Sequence, residues 1–298
     1  MSTVPDPLIL PEQLTRAAAD EARVARRERL RLVLRSKTFL IGSVILLFWI
    51  FCALFGETVA PKDPFVSDPL NRLESPSGDF WFGTDRLGRD VFSRVLTGAR
   101  EILTVAPLAT LLGTALGTAL GLVTGYFRGL VDDVIMRVMD AFLAIPLVIL
   151  ALLALVALGP SDATVIVVIG IVFTPLVART VRAAVLSESR LEYVQAAKLR
   201  NERAPYVMFA EILPNVLPPV IVEFTVRLGY AVFTIAALSF LGFGIQPPAP
   251  DWGLQIFENY GFISGNVWWP VLFPALAIAS LVVAVNLVAD GVAQAFER

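Results

Sequence analysis

Residues 102–127 read Ile-Leu-Thr-Val-Ala-Pro-Leu-Ala-Thr-Leu-Leu-Gly-Thr-Ala-Leu-Gly-Thr-Ala-Leu-Gly-Leu-Val-Thr-Gly-Tyr-Phe, without a single charge. A hydrocarbon core of about 30 Å needs roughly 20 mostly apolar helical residues to cross it, so this run predicts a membrane-spanning helix. Gly113, Gly117, Gly121 and Gly125 recur at every fourth position and share one helix face, where a second backbone can approach closely. That stripe reads as a packing seam rather than a ligand site. Five further apolar runs lie at 39–55, 141–160, 163–178, 212–244 and 267–289, of which only 212–244 carries charges, Glu223 and Arg227. They are apolar on every face, unlike the alternating segments of about ten residues that build a barrel. The expected fold is an all-α membrane protein of about six transmembrane helices.

Composition agrees. Of 298 residues, 56% are hydrophobic and 17% charged, and the mean hydropathy of +0.73 lies well outside the range of soluble domains. A formal charge of −2 provides no basic field for nucleic acid. With no histidine and one cysteine, Cys52, the chain cannot form an internal disulfide, a thiol–histidine pair or the usual zinc sites. No span carries a carboxylate dyad or a nucleophile–base pair, and no Gly-x-x-x-x-Gly-Lys-Ser/Thr phosphate loop occurs. The chain is therefore expected not to be an enzyme and to bind no cofactor itself.

Positive residues set the expected orientation. Eight precede the first span: Arg16, Arg23, Arg26, Arg27, Arg29, Arg31, Arg35 and Lys37. Arg128 and Arg137 follow the second, and Arg179, Arg182, Arg190, Lys198, Arg200 and Arg203 lie between the fourth and fifth, whereas the connections after the third and fifth have none. Six crossings then leave both termini in the cytoplasm. Residues 1–38 form a cytoplasmic tail, too long to be a cleaved leader and better read as preceding an uncleaved anchor. Residues 39–101 hold the first span and an external segment, and 102–298 a five-helix core. The external segment runs against the charge rule with Lys62, Arg72, Arg86, Arg89, Arg94 and Arg100, offset by six acidic residues within 63–90.

The connection at about 181–214 is too long for a simple turn and is helical in pattern on both sides of a polar break at Asn201-Glu202-Arg203. It resembles the cytoplasmic coupling loop of membrane subunits of binding-protein-dependent ABC importers: Glu-Ala-Ala, three residues, Gly, then an Ile and Leu-Pro about ten residues on. Gln195 stands where that pattern has Glu, before Ala196 and Ala197, and Asn201 stands where it has Gly; asparagine tolerates a left-handed backbone. The resemblance implies that Tyr193, Gln195, Ala196, Ala197, Asn201, Ile212, Leu213 and Pro214 contact an ATPase subunit and carry its closing motion into the membrane. Taken alone, these residues fit a solvated cytoplasmic loop equally well.

Three more segments point the same way. Trp81-Phe82-Gly83-Thr84-Asp85-Arg86-Leu87-Gly88-Arg89-Asp90-Val91-Phe92-Ser93-Arg94 resembles the stretch before the second span in the dipeptide and oligopeptide permease subfamily. Met136-Arg137-Val138-Met139-Asp140 with Ile145-Pro146, and Phe240-Leu241-Gly242-Phe243-Gly244 through Pro247-Pro248-Ala249-Pro250-Asp251-Trp252-Gly253, resemble that subfamily's third-span start and fifth-span exit. The resemblance is to the second of two paired permease subunits, in relatives that import dipeptides, oligopeptides, nickel chelates or glutathione. It implies a bacterial inner-membrane protein working with a homologous permease, two ATP-binding subunits that hold ATP and magnesium, and an extracytoplasmic binding protein. On the residues themselves, the Gly-Thr-Asp and Gly-Arg-Asp strings read as ordered external turns, with Asp85 able to cap a short helix. The proline run cannot continue the helix and reads as a stiff, extended exit from the fifth span.

Glu223 and Arg227 are the only ionisable residues that fall deep within a span. Position 223 is roughly 13 Å beyond Pro214, and a spacing of four with Glu first favours an ion pair. The pair fits either a fixed packing element or a group facing substrate. A secondary transporter would be expected to carry several such groups, and a simple membrane anchor would not need the coupling-like loop.

Overall fold

The computed structural model describes residues 36–297. The expected cytoplasmic tail, with every basic residue counted before the first span except Lys37, lies outside them. Nine helices carry the described chain, which contains no strand beyond an isolated bridge between Thr84 and Asp90. They are α1 (Lys37–Val59), α2 (Val91–Phe127), α3 (Gly129–Leu143), α4 (Leu147–Leu158), α5 (Asp162–Glu188), α6 (Glu192–Leu199), α7 (Ala204–Phe240), α8 (Trp252–Asn259) and α9 (Trp269–Glu297). In lipid a helix satisfies its own backbone, which is why apolar runs of this length adopt no other form. Five helices are long and apolar enough to cross a membrane, and α3 with α4 makes a sixth if the bent pair is one span.

The helices outrun the apolar runs because caps, not charges, end them. Asp90 accepts the Ser93 N–H and starts α2 eleven residues before the charge-free stretch, and α5 continues through Arg179 and Arg182 to Glu188. At the far end of α7 the expected extended exit is corrected to a turn. Gly242, at φ 85°, ends the helix before the proline run, which instead forms the turn leading to α8.

The third expected span, 141–160, is also corrected. Residues 129–158 form two helices bent by 87° at Ala144-Ile145-Pro146. Pro146 lacks an N–H and disfavours a helical backbone at Ile145, so the ladder is interrupted there. The twelve residues of α4 are only about 18 Å long, short of a full crossing.

α2 packs most extensively against α5, along the glycine stripe. A Cβ added at Gly117 would lie 2.5 Å from Val177 Cβ and 2.9 Å from the Thr174 carbonyl oxygen; Gly113 faces Gly170 and Phe173, Gly121 faces Val181, and Gly125 faces Val185. α1 lies on α9 through Gly42, against Leu287 and Ala284, and Trp49 Nε1 donates to Ser280 Oγ at 2.9 Å. Such interhelical hydrogen bonds average about 0.6 kcal/mol in membranes, so close backbone fit carries more of the assembly than polar contacts do. One apolar cluster gathers Trp49, Ile102, Phe173, Ile235, Trp252 and Leu281; a second, at the opposite end of α2, gathers Leu122, Val181, Val194, Ala197 and Ile212.

Gly117→Leu is expected to lower the thermal midpoint of the detergent-solubilised protein, since forced overpacking costs about 1–3 kcal/mol. Gly78→Ala, which enters open space, should leave the midpoint unchanged. A midpoint unmoved by Gly117→Leu would refute the seam.

Candidate functional site

α6 is a short helix held between α5 and α7, and its two faces differ. Val194 and Ala197 are fully buried in this chain's own second apolar cluster, with Leu122, Val185, Val207, Ile212 and Val216. Glu192, Gln195, Ala196 and Leu199 are exposed, Leu199 at 86%. The adjacent alanines thus point apart: Ala197 seats α6 on the bundle, and only Ala196 is open to a partner. Gln195 Nε2 donates to the Ser189 carbonyl at 2.7 Å, closing the α5–α6 turn.

The break falls where the polar residues lie. α6 ends at Leu199, Asn201 is left-handed at φ 56°, and α7 starts at Ala204. Within α7, residues 207–212 form a wide π turn in which the Leu213 N–H reaches Met208 O, five residues back. Pro214 follows directly; it has no N–H to give and its ring crowds the preceding turn, which the wider coil relieves. Ile212 is buried, Leu213 partly so, and Pro214 exposed.

Tyr193 ties this region together. Its hydroxyl donates to Glu188 Oε1 at 2.5 Å and accepts from Asn215 Nδ2 at 2.9 Å, while Asn215 Nδ2 also donates to the Glu211 carbonyl at 2.8 Å. Burial, and the Glu188 carboxylate beside it, push the phenol up to about 12, so it stays protonated as a donor. Lys198 Nζ sits 4.9 Å from the centre of the Tyr126 ring at the end of α2. Nearby, Arg182 pairs with Asp132 through two contacts and Arg179 with Asp140 at 2.5 Å, fastening α3 to α5.

A second polar assembly occupies the start of α2, about 50 Å along the helix from Tyr126. Asp85 caps no helix, contrary to the sequence expectation. It accepts the Leu87 and Arg89 N–H groups at 2.8 and 3.0 Å and the Arg89 Nε at 2.6 Å. Arg89 continues to Glu258 of α8 at 2.5 Å, and Arg86 reaches Glu258 at 3.0 Å and, by its N–H, Asn259 Oδ1 at 3.0 Å. Burial acts to raise the Glu258 carboxyl, but the Arg89 and Arg86 guanidinium groups outweigh it and hold it below the usual carboxylate range. Arg94 is fully buried and donates to Pro64 O at 2.9 Å. Trp252 Nε1 donates to Val95 O and Trp269 Nε1 to Thr84 O. Of the arginines that break the charge rule, Arg89 and Arg94 are therefore buried structural groups and Arg86 is partly buried against Glu258, whereas Arg72 and Arg100 remain exposed. Glu258 is invisible to motif reading, and the only hint of it was the unexplained excess of arginine.

In the same assembly Asp251 starts α8, with Oδ1 accepting the Leu254 N–H at 2.7 Å and Oδ2 buried without a hydrogen-bond partner. Burial pushes this carboxyl up to about 6. A folded-state value above the unfolded one means that the penalty of the buried charge is present above pH 6 and is relieved as pH falls through 6. Asp251→Asn, which keeps the cap oxygen, should thus gain stability over the parent protein by up to about 3 kcal/mol at pH 8. The gain should shrink by pH 5; thermal midpoints at both pH values check it.

Glu223 and Arg227 lie near the middle of α7 and pair with each other, Arg227 Nε and Nη2 meeting Glu223 Oε1 at 2.7 and 2.5 Å. Their side chains are 11% and 18% exposed, and among the described residues neither hydrogen-bonds another helix. Arg227 also stands 5.6 Å from the Tyr230 ring. Removing one member leaves a largely buried unpaired charge, costing about 3–5 kcal/mol, whereas removing both costs far less. Glu223→Gln and Arg227→Gln should each reduce the yield of monodisperse protein, and the double variant should recover part of it.

Two stretches of the chain match known family models. Residues 117–298 fit the model of the binding-protein-dependent transport system inner membrane component, and residues 27–76 the N-terminal transmembrane domain of oligopeptide transport permease C. The chain is 36% identical over 293 residues to a dipeptide transport system permease protein of Alkalihalophilus pseudofirmus, covering 98% of this chain and 96% of that one. It is 40% identical over 283 residues to a probable peptide ABC transporter permease of Sinorhizobium fredii, with coverage of 95% and 96%. A glutathione transport system permease of Pectobacterium atrosepticum is 36% identical over 276 residues, with coverage of 91% and 90%. A solved structure of inward-facing conformations of the MetNI methionine ABC transporter shares the fold at a TM-score of 0.57 and 19% identity, covering 69% of this chain and 97% of that one. The chain belongs to the family of binding-protein-dependent transport system inner membrane components, the multi-pass permease subunits of bacterial ATP-driven importers.

Proposed function

We propose that this chain forms half of the translocation pathway of an importer for dipeptides, oligopeptides or similarly carried solutes, beside a homologous second permease. The solute class rests on relatives named for dipeptide, peptide and glutathione transport. ATP and magnesium belong to two separate ATPase subunits, since this sequence has no phosphate loop. The open face of α6, formed by Glu192, Gln195, Ala196 and Leu199, docks one of them. The observation that carries this reading is the exposed Leu199 and Ala196 on a helix whose opposite face is buried at Val194 and Ala197. A small residue beside a protruding leucine suits a helix that seats in a groove. ATPase closure would move α6 and switch the pathway between its two openings, and the end built from Arg89, Glu258 and Trp252 would face outward, toward a solute-binding protein. The count of positive residues supports both termini being cytoplasmic.

A single cysteine at position 196, in a Cys52→Ser background, tests docking and orientation together. A membrane-impermeant maleimide should label it only in inside-out vesicles, and bound ATPase subunits should protect it at least fivefold. Labelling from outside intact cells, or equal labelling with and without the ATPases, would sink the proposal.

A further inference from the structure

We infer that the Tyr193 hydroxyl is the latch that makes α6, α5 and α7 move as one body, so that force applied to the open face of α6 reaches α7 directly. This rests on the reading of α6 as the ATPase-docking helix.

The covalent route from α6 to α7 is irregular. It passes through Arg200, the left-handed Asn201, the start of α7 at Ala204 and the wide π turn at 207–212, before the regular helix resumes at Leu213. The backbone bonds there are local, Arg200 N–H to Ala196 O, Asn201 N–H to Lys198 O and Glu202 N–H to Ala197 O, and the exposed Arg200 meets Glu211 only at 3.8 Å, so none of them joins α6 to the regular part of α7 beyond Leu213. An eight-residue helix also has little stability of its own. The buried Val194 and Ala197 hold it to the bundle, but apolar contact has no direction and does not stop the helix from sliding or rolling.

The Gln195–Ser189 bond supplies a direction toward the end of α5 alone, and the Tyr193 hydroxyl supplies one toward both α5 and α7. Its proton goes to Glu188 at the end of α5, at 2.5 Å, and a lone pair receives the Asn215 amide of α7, at 2.9 Å, across 22 residues of chain. Asn215 is braced in turn by the Glu211 carbonyl, at 2.8 Å, so the α7 arm of the latch does not rely on one contact. The carboxylate arm is charge-assisted and correspondingly strong. Three helices thus meet at one oxygen, on the side of α6 away from its exposed face. The apolar body of Tyr193 packs beside the second cluster, so the ring and the hydroxyl serve separable ends, anchorage and alignment. Tyr193→Phe keeps the first and deletes the second.

The test has one arm that needs neither ATPase nor solute. Spin labels on Ala196 of α6 and on the exposed Phe233 of α7, in the full chain in nanodiscs with Cys52→Ser, should give a narrow distance distribution. Tyr193→Phe should at least double its width, and Asn215→Ala should do the same. Glu188→Gln retains an acceptor and should restore a distribution close to the parent's. An unchanged width in Tyr193→Phe overturns the latch whatever α6 docks against. The second arm uses the reconstituted importer with its ATPases, without labels, and tritiated alanyl-alanine. Tyr193→Phe should still co-purify with the ATPases and hydrolyse ATP within about twofold of the parent, while ATP consumed per peptide accumulated rises at least fivefold. Hydrolysis and uptake falling in proportion would show a merely structural residue and also overturn the inference, leaving the docking reading, tested separately at Ala196, in place.

Discussion

The close approach of α2 and α5 along Gly113, Gly117, Gly121 and Gly125 is the contact on which the molecule is built. Lipid offers helices no hydrophobic reason to associate, so what holds them is dispersion between surfaces that fit, and that fit requires the absence of side chains on one of them. α2 extends beyond the seam at both ends, and each extension carries an assembly of its own. At its start it receives α8, where the Pro250 carbonyl lies so near Gly98 that a Cβ there would be only 2.2 Å from it. At its end it receives α6 through the cluster around Leu122 and through the Tyr126 ring. The seam therefore fixes the relation between the two ends of a transporter that must respond to each other.

The two ends are made of different materials. At the start of α2, buried ions are paired in series from Asp85 through Arg89 to Glu258, with Arg94 held by the Pro64 carbonyl and the indoles of Trp252 and Trp269 bonded to backbone oxygens. Each group is desolvated, so the arrangement persists only with all its partners present. A segment of about thirty residues with little regular structure is thereby made into a rigid part of the bundle. At the end of α2, most of the burial is aliphatic, and the polar contacts are few and directional.

Glu223 and Arg227 stand apart from both assemblies. Their pairing within one helix means that they do not lock α7 to a neighbour in this chain, and the stabilisation they offer is mutual neutralisation at depth. The bend between α3 and α4 is a similar local feature, set by Pro146, and it is fastened to α5 by Arg182 and Arg179 rather than by deep burial.

Much of this was legible in the sequence. Length and apolarity gave the spans, the four-residue period gave the glycine face, the polar break at 201–203 gave the end of α6, and a spacing of four gave the Glu223–Arg227 pair. All of these depend on residues within one or two helical turns, where backbone geometry alone fixes which side chains meet. The tertiary structure decided the rest. Ala196 and Ala197 are chemically identical, and only the roll of α6 on the second cluster makes one a surface residue and the other core. Asp85 could have capped a helix by its local pattern, but Arg89 and, through it, Glu258 claimed it. The bonds from Thr84 to Trp269, from Val95 to Trp252 and from Arg89 to Glu258 join residues 185, 157 and 169 positions apart. No periodicity spans such separations; these partners are chosen by which surfaces remain once the helices have packed, because a charge or an indole N–H buried by that packing must find whatever acceptor the neighbouring segment presents.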